Sequence, residues 1–280
     1  MPNSEIIQWS DVVKPNGSKA TRSDLIAHLT SMSELVEQLF AEQTLLEDKL
    51  TALEAEFTKP ITFPDEPDMV LIEGGSFKMS HPSDSAARPA RDVTLSSFYI
   101  GRYPITQAQW RAVMGSYPSE FEGDNLPVES INWHEALEFT FRLSKLTGKK
   151  YRLPTDAEWE YASKGGEFYE FPGSPHLDEV GWFKANSNGR TQPVGMKKPN
   201  KFGLYDMSGN VWNWCSDWHG TYSNDAVTNP IGAVTGTYRI IRGGGYTDAR
   251  VDECRVLFRG SWTPTNRQGN VGFRVVREVI

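Results

Sequence analysis

The sequence predicts an α+β domain with few helices and long ordered loops, preceded by a separate α-helical segment. Three observations lead there. Apolar residues recur every seven positions through residues 24–57. From Met69 onward, short strand-like runs alternate with two helical stretches that carry their own caps. After Gly166, glycines, turn residues and aromatics dominate, with little period of either kind.

The helical segment is read first. Leu25, Met32, Leu39, Leu46 and Leu53 form one column, and Leu29, Val36, Gln43, Leu50 and Phe57 the other. Together they make a heptad seam. Ser23 fits an N-cap and Pro60 a stop, so the helix is expected over 23–59, after an extension over 1–22. At about 1.5 Å per residue it spans roughly 50 Å. Two arrangements suit the seam: self-association as a homo-oligomer through 25–57, with Gln43 setting register, or packing on the chain's own domain. Leu35 and Phe40, at flanking g and e positions, widen the apolar face beyond a two-stranded seam. Glu42 and Glu47 repel each other in a parallel g–e pairing.

Residues 60–68 hold three prolines within "TKPITFPDEPD" and read as a semi-rigid linker. The domain covers 69–280. "MVLIEGGSF" is an apolar run ending in a glycine turn, and "DVTLSSFYIGRYPIT" is rich in strand formers. "SINWHEALEFTFRLSKLTG" predicts an amphipathic helix with Ala136, Leu137, Phe141 and Leu143 on its apolar side and Gly148 ending it. "LPTDAEWEYASKGG" predicts another, capped by Thr155, with Glu158 at the capping-box position and Gly165 as its stop. In the loops, Trp, Tyr and Phe must supply much of the core.

Composition and motifs exclude several functions. A formal net charge of -7 and a pI near 5.4 argue against nucleic acid as a partner. No run of about 18 apolar residues predicts a membrane span. The start "MPNSEIIQWSDVVKPNGSK" lacks an apolar signal core, so this form of the chain is expected to carry no export signal. Cys215 and Cys254 are too few for a disulfide scaffold or a zinc cluster; they either pair once or stay as buried thiols. "HEALE" at His134–Glu138 lacks the second histidine of a zinc-protease helix. "GGG" at 243–245 lacks the Lys-Ser/Thr of a phosphate loop, and no serine sits in a Gly-x-Ser-x-Gly elbow.

The motifs "GGSFKM", "FYIGRYPITQAQWRAVMG", "LPVESINWHEALEF", "YRLPTDAEWEYASKGG", "PVGMKKPNKFGLYDMSGNVWNWCSDW", "IIRGGGY", "CRVLFR" and "GFRVV" follow one another in order. Over about Met69 to Arg277 the chain therefore resembles the formylglycine-generating enzyme / sulfatase-modifying factor family. The resemblance implies a C-type-lectin-like fold. It also implies a pair of cysteines after the "RGG" motif that binds copper and oxidises a substrate cysteine with oxygen. Asp248 and Glu253 stand at those two positions, and Cys254 is the only thiol of the segment. One thiol cannot supply the two sulfurs that Cu(I) needs. The family also carries calcium on a "GNVWEW" turn. Here Asn213 replaces the glutamate, leaving Ser208, Gly209, Val211 and Asn213 as a depleted ligand set, so either one calcium or none is expected there.

A non-catalytic branch of this fold class serves as the variable proteins of diversity-generating retroelements, and the chain looks like a member. The resemblance then makes the C-terminal segment 242–276 a variable, ligand-binding face. Arg242, Gly243, Gly244, Cys254, Arg255, Arg259, Asn270, Gly272, Phe273 and Arg274 match the family frame. Between them stand the candidate face residues Tyr246, Thr247, Asp248, Arg250, Asp252, Glu253, Leu257, Phe258, Gly260, Ser261 and Trp262. Adenine-directed mutagenesis of an asparagine codon reaches most of these residue types but neither Trp262 nor Glu253. Stiff aromatics with directional charges suit recognition of a protein or surface ligand through 246–262. The competing reading has Phe258 and Trp262 filling the core while the charges face water. Two other functions stay open: a copper-dependent oxidase acting on peptide cysteine, and a fixed accessory module docking through its N-terminal helix.

Overall fold

A computed structural model describes residues 17, 19, 21–58, 66–80 and 90–279. The chain divides into two compact units, residues 1–61 and 62–280. Among the described residues, the first holds one continuous helix, α1 (Arg22–Thr58). Its cap is Thr21 rather than Ser23. The Thr21 hydroxyl accepts from the Asp24 amide, and the Asp24 carboxylate accepts from the Thr21 amide at 2.9 Å, so the box closes one turn edge earlier than the serine suggests. Pro60 and most of the linker lie outside the described residues. Along α1, Leu29, Met32, Val36, Leu39, Leu46 and Leu50 are between 46% and 66% exposed. Gln43 donates to Glu47 along the same helix at 2.8 Å.

The second unit opens with β1 (Met69–Ile72), β2 (Gly75–Met79), β3 (Arg91–Leu95) and β4 (Phe98–Gly101). Three helices follow: α2 (Gln107–Met114), α3 (Trp133–Thr147) and, after β5 (Tyr151–Arg152), α4 (Asp156–Lys164). Then come α5 (Leu177–Val180), β6 (Gly181–Trp182), β7 (Ser208–Gly209), β8 (Trp212–Trp218) and β9 (Val227–Thr228). The unit ends with β10 (Arg239–Arg242), β11 (Arg259–Trp262), β12 (Val271–Gly272) and β13 (Val276–Glu278).

All three longer helices use the same device at both ends. Thr106, Asn132 and Thr155 each accept from the third helical amide, and Gln109, Glu135 and Glu158 reach back to the cap. Gly115, Gly148 and Gly165 close them in the left-handed region. α3 buries Trp133, Ala136, Phe139, Thr140 and Leu143, whereas Leu137 and Phe141 are 42% and 58% exposed. The buried stripe is thus rotated from the one the sequence suggests, because Phe139 stacks on Trp110 of α2 at 5.6 Å and Phe273 packs edge-on against both rings.

Two four-stranded sheets organise the unit, in the orders β1-β4-β13-β5 and β11-β10-β8-β12. β13 pairs with β4 on one side and β5 on the other. β10 lies between β8 and β11, antiparallel to both. One core cluster, holding Trp110, Phe139, Trp214 and Phe273, packs against the second sheet; another holds Phe98, Ile100, Trp159 and Cys215. Cys215 and Cys254 lie in different clusters as free, buried thiols, so they do not pair.

Candidate functional site: a braced segment between two arginines

β10 delivers Arg242 into the interior, where it is 0% exposed. Its Nε donates to Asp156 Oδ1 at 2.6 Å and its Nη2 to Glu160 Oε2 at 2.8 Å. Its Nη1 reaches forward to the carbonyls of Val256 and Phe258 at 3.1 and 3.0 Å, tying down the segment before β11. Arg259 donates from Nε to the other Asp156 oxygen at 2.7 Å and from Nη1 to the Gly220 carbonyl. Asp156 opens α4, so a helix start anchors both arginines. Burial pushes its carboxyl up, but the Arg242 and Arg259 guanidiniums outweigh this and hold it well below the usual range. Arg274 closes the frame through Asn213 Oδ1 and the carbonyls of Gly101 and Tyr205. Arg255 differs: it is half exposed and pairs with Glu170 at the surface, so it is not part of the buried bracing.

After Arg242 the chain turns at Gly243 and Gly244, with φ of 96° and 77°. A Cβ on Gly244 would lie 2.5 Å from Cys254 Sγ, so the turn needs glycine for space as well as for conformation. The next turn is closed by Asp248, whose Oδ2 accepts from the Gly245 amide at 2.7 Å. Burial, reinforced by the charge of Glu253, raises the Asp248 carboxyl to about 6. Thr247 is exposed and accepts from Asn270 Nδ2 at 2.6 Å. Tyr246 is 5% exposed, with its ring edge-on to Phe121 at 5.8 Å, so it forms floor rather than display.

A short 3-10 turn, Val251–Cys254, carries the charges. Arg250 donates to Asp252 at 2.7 Å and lies 3.7 Å from Glu253. Leu257 is half-buried. Phe258 sits 5.9 Å from the Trp212 ring, and a Cβ on Gly260 would come within 3.1 Å of Trp212 and 2.8 Å of Ile241. Trp262 packs on the same core cluster, opposite Arg239 in the ladder, while Ser261 faces the other side of β11 opposite Ile240. The predicted residues therefore fall into sets. Phe258 and Gly260 gather over Trp212, with Asp248 beside it, and Trp262 packs on the same core cluster. Arg250, Asp252 and Glu253 form a charged cluster, and Tyr246 is buried against Phe121. Trp212 was not among the predicted face residues; the "GNVWNW" motif that contains it is the signal that marks it.

The metal sites that the resemblance implies do not fit these residues. Cys254 is fully buried, and burial, then the Asp248 and Glu253 charges, push its thiol up, away from thiolate. With carboxylates at the other two positions, no two-sulfur copper site forms. On the calcium turn, Asn213 Oδ1 accepts from Arg274 Nε at 2.7 Å and from the Trp159 indole at 3.2 Å. The Val211 carbonyl accepts from Asn213 Nδ2, and all of Ser208, Gly209, Val211 and Asn213 are buried. The carboxamide oxygen that a divalent ion would use is thus taken by a guanidinium and an indole, and the Ser208 hydroxyl is turned to the Cys254 carbonyl at 2.6 Å. Among the described residues, no group of three or more His, Cys, Asp or Glu is placed to hold a metal, and no helix is long and apolar enough to cross a membrane.

Comparison with known proteins fits this geometry. Residues 55–279 match the model of the sulfatase-modifying factor enzyme 1-like domain. The chain belongs to that family. It is 35% identical over 263 residues to the chaperone protein LppX of Paenibacillus barcinonensis, covering 75% of this chain and 89% of that protein. It is 35% identical over 193 residues to the formylglycine-generating enzyme of Streptomyces coelicolor, covering 62% of this chain and 60% of that enzyme. Among solved structures, Treponema denticola variable protein 1 superposes with a TM-score of 0.73 at 30% identity, over 75% of this chain and 95% of that one. The domain accordingly has the C-type-lectin-like fold of the formylglycine-generating type, preceded by an α-helix.

Proposed function

We propose that this protein is a non-enzymatic binding protein that recognises a protein or surface ligand through residues 246–262, and that a diversity-generating retroelement rewrites the segment. One observation carries the proposal: the arginine frame is intact while Asp248 and Glu253 stand where catalytic relatives need thiols. The likeness to a treponemal variable protein supports it. Phe258 and Trp262 supply stiff apolar area, and the Arg250–Asp252–Glu253 cluster supplies direction. Sequencing the gene in sibling strains tests it. Substitutions confined to the positions between Arg242, Cys254, Arg259 and Gly272 are expected, and uniform codons across 246–262 would sink the retroelement reading. Titration with Cu(I) and a cysteine peptide tests the enzymatic alternative: no tight stoichiometric copper binding and no aldehyde are expected.

The relative named as a chaperone favours a second reading, in which the same face is fixed and docks one client protein. Uniform codons, together with retained binding of one partner across strains, would select it. In both readings the exposed seam of α1 joins copies of the chain, raising avidity by linking several faces. Light scattering on the full chain should give a multiple of 31.5 kDa, falling to that mass in Leu39→Glu. An unchanged monomer would refute the assembly.

A further inference from the structure

On the side of β11 to which Arg259 points, a cavity of about 440 Å³ opens between the 220–223 turn and the loop after β9. That size lies within the range of small-molecule pockets, roughly 300–1,000 Å³. Arg91, Arg259 and Tyr222 line it, with Thr221, Ser223 and Thr228 adding hydroxyl groups. None of these belongs to the recognition face.

Arg91 is the unusual member. It begins β3 and is 8% exposed. Its guanidinium carbon sits 4.2 Å from the centre of the Tyr222 ring, and that of Arg259 sits 4.5 Å from the same ring. The Arg259 charge is met by Asp156, and that of Arg242 by Asp156 and Glu160. Among the described residues no carboxylate meets Arg91. Among the described residues its Nε is buried without a hydrogen-bond partner, and its Nη2 finds only the Met79 sulfur at 3.9 Å, a poor acceptor. A guanidinium stays protonated even when buried, so, among the described residues, the cavity wall carries a positive charge that no carboxylate meets. Stacking on Tyr222 fixes the plane of the group, so its hydrogen-bonding edge remains for an acceptor.

We propose that this cavity binds a small oxyanion-bearing ligand, with the Arg91 guanidinium as its principal donor and the Thr221, Ser223 and Thr228 hydroxyls completing the shell. The shared chemistry is a carboxylate or phosphoryl oxygen pair that takes the edge of a guanidinium. Because Arg259 lines the cavity and lies in β11 next to Phe258 and Gly260, such a ligand would sit directly behind the recognition strand.

Inorganic phosphate, sulfate and acetate are titrated separately into the full chain at constant ionic strength, with the Arg91 Nε–H resonance and the unfolding temperature as readouts. A saturable shift of that resonance with at least one anion is expected, accompanied by a rise in Tm. In Arg91→Gln the affinity should fall about tenfold or more, the loss expected for one charge-assisted contact, while Lys201→Gln leaves it unchanged. A response to acetate alone identifies a carboxylate ligand, and one to phosphate and sulfate a phosphoryl ligand. An Arg91 Nε signal that does not move at saturating concentrations of all three anions overturns the proposal. So does equal affinity in folded Arg91→Gln.

Discussion

Two sets of residues share the stretch from Arg242 to Arg274, and they are held in opposite ways. Arg242, Arg259 and Arg274 are buried, and each guanidinium spends its donors on groups from distant parts of the chain. Thr247, Arg250, Asp252 and Glu253 bond within their own turn or to one neighbouring side chain. The difference shows how a fold separates closure from display. Long-range charge-assisted bonds fix the path of the backbone, and positions free of such bonds can change without moving it.

Cutting the frame should have the largest effect. Arg242→Met leaves Asp156 and Glu160 with less compensation and two carbonyls without a donor, so a loss of about 3–5 kcal/mol is expected in urea unfolding. Gly260→Ala comes next. Although Gly260 stands among the face positions, its Cβ would press on Ile241 and Trp212, and a loss of about 1–3 kcal/mol is expected. A neutral result there would move Gly260 into the freely variable set.

Asp248 gives a smaller, pH-dependent effect. Its folded-state pKa, about 6, lies above the ordinary carboxylate value, so the folded chain holds a proton that the unfolded chain releases first. Stability therefore falls as pH rises from about 4 to 6. Asp248→Asn should remove this loss: the variant should be the more stable at pH 7.5 and match the wild type at pH 4. Thermal unfolding of the pair across that window checks it, and equal pH slopes would show that the turn does not bury the carboxylate. Arg250→Ala should leave the unfolding midpoint unchanged while altering ligand binding, which would place Arg250 on the display side.

The legible parts of the fold were those encoded by neighbours in sequence. Asn132 or Thr155 followed three residues later by Glu, with a glycine at the far end, marks α3 and α4 because each cap is satisfied locally. The same signal, Thr106 and Gln109 with Gly115, also marks α2, which the pattern of apolar residues alone did not reveal. The bracing was not legible. Nothing near Arg242 in sequence says that its partner is Asp156, 86 residues earlier. Nor does spacing distinguish Arg259, which is buried, from Arg255, which is half exposed. On the face, the residue types were readable, but the burial of Tyr246 was not, because Phe121 reaches it from a remote loop.

The position of β13 has a consequence for synthesis. This strand follows the proposed recognition segment in the chain yet lies between β4 and β5 in the middle of its sheet. While a ribosome is making the domain, β4 and β5 must wait with an open gap until the whole segment has emerged. Any version of the segment that blocks the return of Val276 to Ile100 would leave that gap unfilled and an edge exposed to aggregation and proteolysis. If the segment is rewritten as proposed, chain closure is a test that each new face must pass before it can meet a ligand.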